Sequence, residues 1–295
     1  MRKVAVLTDS ASDIPQELAK ASGVDIMNFD ITLDGKSYEE RVDFTFDEYY
    51  DMLKNAQGMP STAHITSLRF LEKYCEYADD GYTDIVHITI NAGGSATHDA
   101  ALMAKEQLKD ERHSCKMKIH IIDSHTYSMT YGYYVCEAAR HLRNGAELKQ
   151  VLAGLDEIFG KVEIALSVYS LRFIKKSGRI SAAAAFAGEL LGLRPIISMI
   201  DGETTVCNKV RGDKNILPAL ISRAQTRRLQ DSKYMVGTTD MQNGEELAAM
   251  CKKAFGAPPE CIFKLGAAVS TNTGPDAIAI VYEGEQRRNN NEQGR

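Results

Sequence analysis

The loop Asn91-Ala92-Gly93-Gly94-Ser95-Ala96-Thr97 carries two glycines and two hydroxyls between an apolar run and an amphipathic one. Asp84–Ile90 before it reads as a strand, and the stretch from about Ser95 to Leu108 as a helix. The first N–H groups of a helix have no partner inside it, so this junction suits a carboxylate or a phosphate. An ordinary strand–helix turn capped by Ser95 explains the same residues equally well. The nucleotide loops are excluded: no Gly-Lys-Ser/Thr follows, and Gly-x-Gly-x-x-Gly is absent. A nucleophile elbow would need glycine two positions after Ser95, where Thr97 stands.

Pro60-Ser61-Thr62 is a second hydroxyl cluster, expected in a loop before a helix, where helix capping is the default role. Ser177-Gly178-Arg179 reads as a turn with a solvated arginine. His64, His98 and His125 stand near these loops, but their spacing gives no support to a Ser/His/Asp hydrolase. The cysteines at 75, 115, 136, 207, 251 and 261 include no Cys-x-x-Cys and no zinc spacing. They are expected to be reduced, small apolar residues. No metal or cofactor is expected.

The elements that must position these loops alternate. Lys3–Leu7, Asp25–Leu33, Asp84–Ile90 and Lys118–Ile122 read as strands. A helix start at Ser12–Glu17 and helices over Phe46–Asn55, Leu68–Ala78, Tyr131–Leu142 and Leu148–Phe159 lie between or after them. Such alternation predicts a doubly wound, mostly parallel sheet with ligands beyond its strand ends. The ends so placed are Thr8-Asp9-Ser10, Asn91 to Thr97, and Asp123-Ser124.

The second half reads as an α+β layer with a mixed or antiparallel sheet. Its strands are Glu163–Val168, Pro195–Ile200, Thr204–Val210, Tyr234–Thr239, Cys261–Leu265 and Ala277–Tyr282, and Asp201-Gly202-Glu203 is a hairpin turn. Helices are expected over Ala182–Leu191, Asn215–Gln230 and Gly244–Phe255. The expected organisation is an N-terminal domain over 1–160, a C-terminal domain over 161–284, a polar tail from 285 to 295, and a ligand site near the domain interface.

The chain has 295 residues, enough to bury a full core without staples. The net charge of −5 and the lack of a dense Lys/Arg block argue against nucleic acid as a partner. No apolar stretch approaches a membrane span of roughly 18 residues. The apolar run Val4–Leu7 stops at Thr8-Asp9, unlike a signal peptide, so a cytoplasmic location is expected.

Taken together, a set of short segments resembles the DegV family of bacterial fatty-acid-binding proteins. They are Thr8-Asp9-Ser10-Ala11-Ser12-Asp13, Pro60-Ser61-Thr62, Ile88-Thr89-Ile90 running into Ser95-Ala96-Thr97, and Ile122-Asp123-Ser124. Ser177-Gly178-Arg179-Ile180-Ser181, Leu193-Arg194-Pro195-Ile196-Ile197, Asp201-Gly202, Lys209-Val210-Arg211-Gly212 and Thr273-Gly274-Pro275 follow in the family's order. Each is weak alone; their common register is specific.

The resemblance implies two α/β domains with an acyl chain between or within them. It implies that Thr62 and Ser95 hold the carboxylate, with Ser61, Gly94, Thr97 and Asn272 beside them. Asp9, Ser10, Asn91, Ser124, Arg172, Arg179 and Arg211 are the implied pocket or partner contacts. Several family members serve as the acyl-carrying subunit of a fatty-acid kinase that feeds phospholipid metabolism. The implied role is therefore a carrier without catalytic residues, whose partners are a long-chain fatty acid and a kinase subunit, with transient membrane-surface contact compatible with such a ligand. An acyl-chain sensor and an enzyme binding a phosphorylated metabolite at residues 91–97 are the alternatives.

Three departures bear on this. Ala96 stands where the family usually has glycine, which would matter if that position needed a positive φ. Thr62-Ala63-His64-Ile65-Thr66 replaces Thr-Ser-Gln-Pro-Ser, and Asn272 and Asp276 replace a histidine and a glycine. Asn272 can neither bind nor release a proton near neutral pH, so ligand binding is the more secure expectation than kinase service. An apolar channel is expected from Ala182–Ala187, Leu190, Leu191, Leu193, Ile196, Ile197 and Met199.

Overall fold

The computed structural model describes residues 2–179 and 192–285. The expected helix at Ala182–Leu191, most of the expected channel and the tail from 286 onward lie outside the described residues.

The N-terminal half is built on a parallel sheet of β1 (Val4–Asp9), β2 (Val24–Met27), β6 (Asp84–Thr89) and β7 (Lys118–Asp123), in the order β2-β1-β6-β7. The central strands β1 and β6 are buried along nearly their whole length, as parallel strands covered on both faces must be. The helices pack as pairs: α3 (Ser67–Asp79) on α4 (Thr97–Glu111), and α1 (Gln16–Ser22) on α5 (Met129–Arg143). Then α6 (Leu148–Phe159) packs on α5, and the turn at Gly160 leads into the second half.

The strand expected over Asp25–Leu33 is two strands in two sheets. Between them the Phe29 amide leaves the ladder and donates to Ser10 Oγ at 3.0 Å. The chain then forms β3 (Asp30–Leu33), which pairs antiparallel with β4 (Lys36–Glu39) and β5 (Ser61–Ala63). Asp34 and Gly35 both have positive φ, 47° and 78°, so the expected stop is a tight hairpin turn. Pro60-Ser61-Thr62 leads into a strand rather than a helix, and Thr62 sits opposite Ile31. The cap of α3 is Thr66, whose Oγ accepts the Arg69 amide at 3.4 Å.

The second half is one six-stranded sheet: β8 (Val162–Val168), β9 (Leu193–Ile200), β10 (Glu203–Arg211), β11 (Tyr234–Thr238), β12 (Ile262–Lys264) and β13 (Ala277–Glu283). Its order is β10-β9-β8-β13-β11-β12, and β11–β12 is its parallel pair. Alternation divides its side chains between two cores. Ala165, Ile196, Val236, Ile278 and Ile280 pack beneath α8 (Ile216–Gln225) and α9 (Met241–Phe255). Ile164, Leu166, Ile197, Ala279 and Val281 face the core of the parallel sheet. Helix α8 ends at Gln225, short of the expected Gln230, because the Arg227 guanidinium turns onto Glu163 and the Leu229 amide onto the Glu283 carbonyl.

Two short helices were not legible: α7 (Ile174–Ser177) and α10 (Ala267–Thr273). Helix α10 comes from the C-terminal half but rests on α2 (Phe46–Asn55) and β5. Tyr50 donates its hydroxyl to the Leu265 carbonyl at 2.5 Å, and Tyr49 pairs with Thr271 Oγ1 at 2.6 Å. The buried Glu40 carboxylate accepts the Ala268 amide at 2.9 Å, satisfying a donor of the first turn.

Candidate functional site

A cavity of about 250 Å³ lies between the C-terminal ends of the parallel strands and the inward face of the six-stranded sheet. Its apolar wall includes Phe29, Ile90, Ile164, Leu166, Met199, Phe263 and Val281. Its polar lining includes Thr62, Ser95, His64, Arg179 and Asn272. The two hydroxyl clusters, far apart in sequence, therefore reach one space: Thr62 from β5 and Ser95 from the loop after β6.

In the loop over residues 91–97 the amides of Ala92, Gly93, Gly94, Ser95 and Thr97 are bonded, leaving fewer free donors than expected. Gly94 N and Ser95 N donate to the Asn91 carbonyl at 3.0 and 3.2 Å. Gly93 N donates to Asn91 Oδ1 at 3.2 Å, and Ala92 N to Asp123 Oδ1 at 3.1 Å. Thr97 N donates to Ser95 Oγ at 3.3 Å, while Ser95 Oγ and Thr97 Oγ1 are 2.9 Å apart. Ala96, not Ser95, is the helix cap residue, with φ −70°. An ordinary residue adopts that angle freely, so alanine in place of glycine brings no backbone strain.

Gly94 also lines the cavity. A Cβ there would meet the Tyr127 hydroxyl at 2.4 Å. That hydroxyl is fixed in turn by Asn91 Nδ2 at 2.8 Å, and Asn91 Nδ2 also reaches the Gly202 carbonyl at 3.0 Å. Asn91 is thus a strut from the loop to the β9–β10 turn and is not among the lining residues.

Several other expected site residues stand behind the cavity wall. Asp9 is buried and accepts the Ile90 amide at 2.8 Å and the Tyr131 hydroxyl at 2.6 Å. Burial pushes its carboxyl up to about 6, and the bonds from Tyr131 and Ile90 hold it from rising further. Ser10 donates to Glu40 and accepts the Phe29 amide. Asp9 and Ser10 therefore fix the backbone of two lining residues, Ile90 and Phe29, without lining the cavity themselves. Burial likewise raises Asp13 and Glu40, and Arg41 beside them opposes it. Ser124 Oγ accepts the Thr126 amide at 3.3 Å and shapes the turn before Tyr127. Thr97 is buried in the first turn of α4, and Ser61 is exposed and outside the cavity lining.

The arginines separate. Arg179 lines the cavity, its Nε 3.5 Å from the Gly94 carbonyl and its Nη1 2.8 Å from the Ser177 carbonyl. Arg172 is outside the lining and donates to the Ala56 carbonyl at 2.6 Å, bracing the segment before β5. Arg211 is the exposed last residue of β10, also outside the lining. Asn272 lines the cavity from α10, its Nδ2 donating to the Ala268 carbonyl at 3.1 Å. The lining also includes Tyr127, Ser128, Thr130, Thr204, Ala268 and Val269, which sequence reasoning missed. The segments forming β8 and β13 were expected as strands, but nothing in them distinguished a cavity wall from packed core.

Ser95 Oγ is paired with Thr97, and His98 Nδ1 with Thr89 Oγ1 at 2.9 Å, so no serine–histidine pair is formed there. Among the described residues no group of His, Cys, Asp and Glu is arranged to hold a metal, and no helix is long and apolar enough to cross a membrane.

A family model described as "Uncharacterised protein, DegV family" matches residues 3–285. The chain belongs to the DegV family. A DegV domain-containing protein of Caldanaerobacter subterraneus is 28% identical over 96% of this chain and 99% of its own. A solved DegV family protein from Thermus thermophilus, described for its fatty acid binding, is 27% identical, with a TM-score of 0.79 over 96% of this chain and 100% of that one. A stearic acid-binding protein from Eubacterium ventriosum has a TM-score of 0.85 at 23% identity, covering 96% of this chain and 98% of that one.

Proposed function

We propose that this DegV protein binds a long-chain fatty acid, with the carboxylate held by Thr62 and Ser95 and the acyl chain in the cavity against the six-stranded sheet. The observation that carries the reading is the cavity's composition: one hydroxyl from β5 and one from the loop after β6, beside a wall of Ile164, Leu166, Met199, Phe263 and Val281. Hydroxyls donate well to a carboxylate, and charge-assisted bonds are the stronger kind. Burying ~14 methylenes at ~0.8 kcal/mol each would contribute roughly 11 kcal/mol before association costs. The chain then dominates affinity and the hydroxyls set orientation. The fatty-acid-binding relative from Thermus thermophilus supports the same reading.

The protein acts as a carrier whose head-group clamp is built from neutral hydroxyls, with Arg179 lining the same cavity. The finer reading is that a kinase subunit phosphorylates the carboxylate, with Arg179 beside the head group. An acyl-chain sensor uses the same site without that partner. The phosphorylated-metabolite reading is the weaker one, because the loop amides at residues 92–95 are already taken. Organic extraction of the purified protein followed by mass spectrometry tests the proposal: a stoichiometric fatty acid is expected. Repeated absence of any acyl chain, together with no uptake of added stearate, would overturn it.

A further inference from the structure

Three buried acids stand behind the cavity, and each is bonded to a different part of its wall. Asp9 accepts the Ile90 amide, and Asp13 accepts the Ser128 hydroxyl. Glu40 takes the hydroxyl of Ser10, whose oxygen accepts the Phe29 amide. Glu40 Oε1 also accepts the Ala268 amide at 2.9 Å, in the first turn of α10. Ile90, Ser128, Phe29 and Ala268 all line the cavity, as do Val269 and Asn272 further along α10, while the three acids do not.

Two of these acids meet at Gly266, the residue that opens α10. A methyl group on Gly266 would overlap Asp13 Oδ1 and lie 3.0 Å from Glu40 Oε1. Both carboxyls are buried, and two like charges crowding one spot in a dry interior are disfavoured. Glu40 is the better placed to be ionised, because Ser10 and the Ala268 amide donate to it and Arg41 lies beside it. Asp13 Oδ1 has no hydrogen-bond partner and is the oxygen left to carry a proton. Burial raises the Asp13 carboxyl well above its ordinary range, in keeping with that assignment. The other ionisable groups facing the pair are Asp9, Tyr131 from α5, and Tyr49 and Tyr50 from α2. Burial keeps the three tyrosines neutral, Asp47 beside Tyr50 is paired with Lys264, and Glu39 is turned to Arg69.

Resting on the fatty-acid reading above, we propose that Glu40 and Asp13 are positioning residues that share one proton, and that this proton keeps α10 seated as a wall for the acyl chain. Loss of the proton leaves two buried anions against Gly266, and lifting the first turn of α10 off the pair relieves their repulsion. The wall at Ala268, Val269 and Asn272 then shifts, and the fraction of molecules able to bind falls. Ligand binding therefore takes up a proton, and affinity falls as pH rises. Ionisation of the ligand's own carboxyl has the opposite sign, since a charged head group is held more strongly by the hydroxyls.

The test is the stearate affinity of delipidated protein from pH 6 to pH 9, joined to calorimetry at pH 8 in two buffers of different ionisation heat, which counts the protons taken up on binding. Wild-type affinity is expected to fall about tenfold over that range, within the limit of tenfold per pH unit set by one linked proton. Asp13→Asn, which keeps the shape of the protonated acid, is expected to bind equally at both ends of the range and to take up no proton. Glu40→Gln keeps an acceptor for the Ala268 amide and is expected to flatten the profile in the same way, whereas Asp9→Asn is expected to retain the fall. A flat wild-type profile without proton uptake would overturn the inference and leave the fatty-acid reading intact. So would a fall retained in Asp13→Asn and Glu40→Gln, or one abolished by Asp9→Asn alone. Failure of stearate to bind at any pH would remove both readings together.

Discussion

Gly94 and the Tyr127 hydroxyl are placed so closely that a single added methyl group on Gly94 would lie 2.4 Å from the phenol oxygen. The loop that presents Ser95 is thereby keyed to the turn before α5, and the key is an absence of side chain. Gly94→Ala should push Tyr127 off Asn91 and cost about 1–3 kcal/mol of stability, the usual range for overpacking. Denaturant unfolding would measure this, and Tyr127→Phe in the same chain should recover part of the loss.

Ser95→Ala should weaken fatty-acid binding by about 1.5–3 kcal/mol, the contribution of a hydrogen bond to a charged group. It also removes the acceptor for the Thr97 amide, costing about 1 kcal/mol of stability. Binding isotherms and thermal melts on the same sample separate the two effects. Unchanged affinity in the folded variant would take Ser95 out of the clamp.

Asp9 gives a pH dependence with a definite sign. Its carboxyl is raised from 3.8 to about 6 in the folded protein, so the native state holds the proton more tightly than the unfolded chain does. The associated stabilisation is complete below the unfolded value and is lost as pH rises through about 6. Wild type should therefore lose stability relative to Asp9→Asn between pH 4 and pH 7, by up to about 3 kcal/mol. Paired urea titrations across that range check it; a parallel course for the two proteins would contradict the assignment.

Arg211→Glu and Arg179→Glu should behave differently. Arg211 lies outside the cavity lining and Arg179 within it. With a fatty-acid kinase subunit, Arg211→Glu should reduce acyl-phosphate formation and leave fatty-acid binding unchanged. Arg179→Glu should reduce both, because it sets a carboxylate beside the ligand's own. Equal binding by both variants would show that Arg179 does not sense the head group.

Much of the fold was legible because its elements follow simple periods. The helix ends at Phe46–Asn55 and Leu148–Phe159 coincide with the expected ones, where amphipathic spacing is strong. Legibility failed where a long-range bond overrides a local pattern. The apolar run from Asp25 to Leu33 looks like one strand, and only Ser10 Oγ taking the Phe29 amide explains the break. Helix α10 has a small, polar sequence with no stripe, and it is held by Glu40, Tyr49 and Tyr50 from more than 200 residues away. The site followed the same division. Thr62 and Ser95 were marked by motif, whereas Tyr127 and Val269 carry no local signal and stand out only by lining the cavity.

The seating of α10 restricts how such proteins can diverge. Glu40 receives an amide from residue 268, so whatever replaces one partner must suit the other. Exchanging the first 160 residues for those of a relative would strand that carboxylate, or its counterpart, in a dry interior unless both came together. Chimaeras joined at that turn should fail more often than ones that transplant residues 267–273 along with the front half.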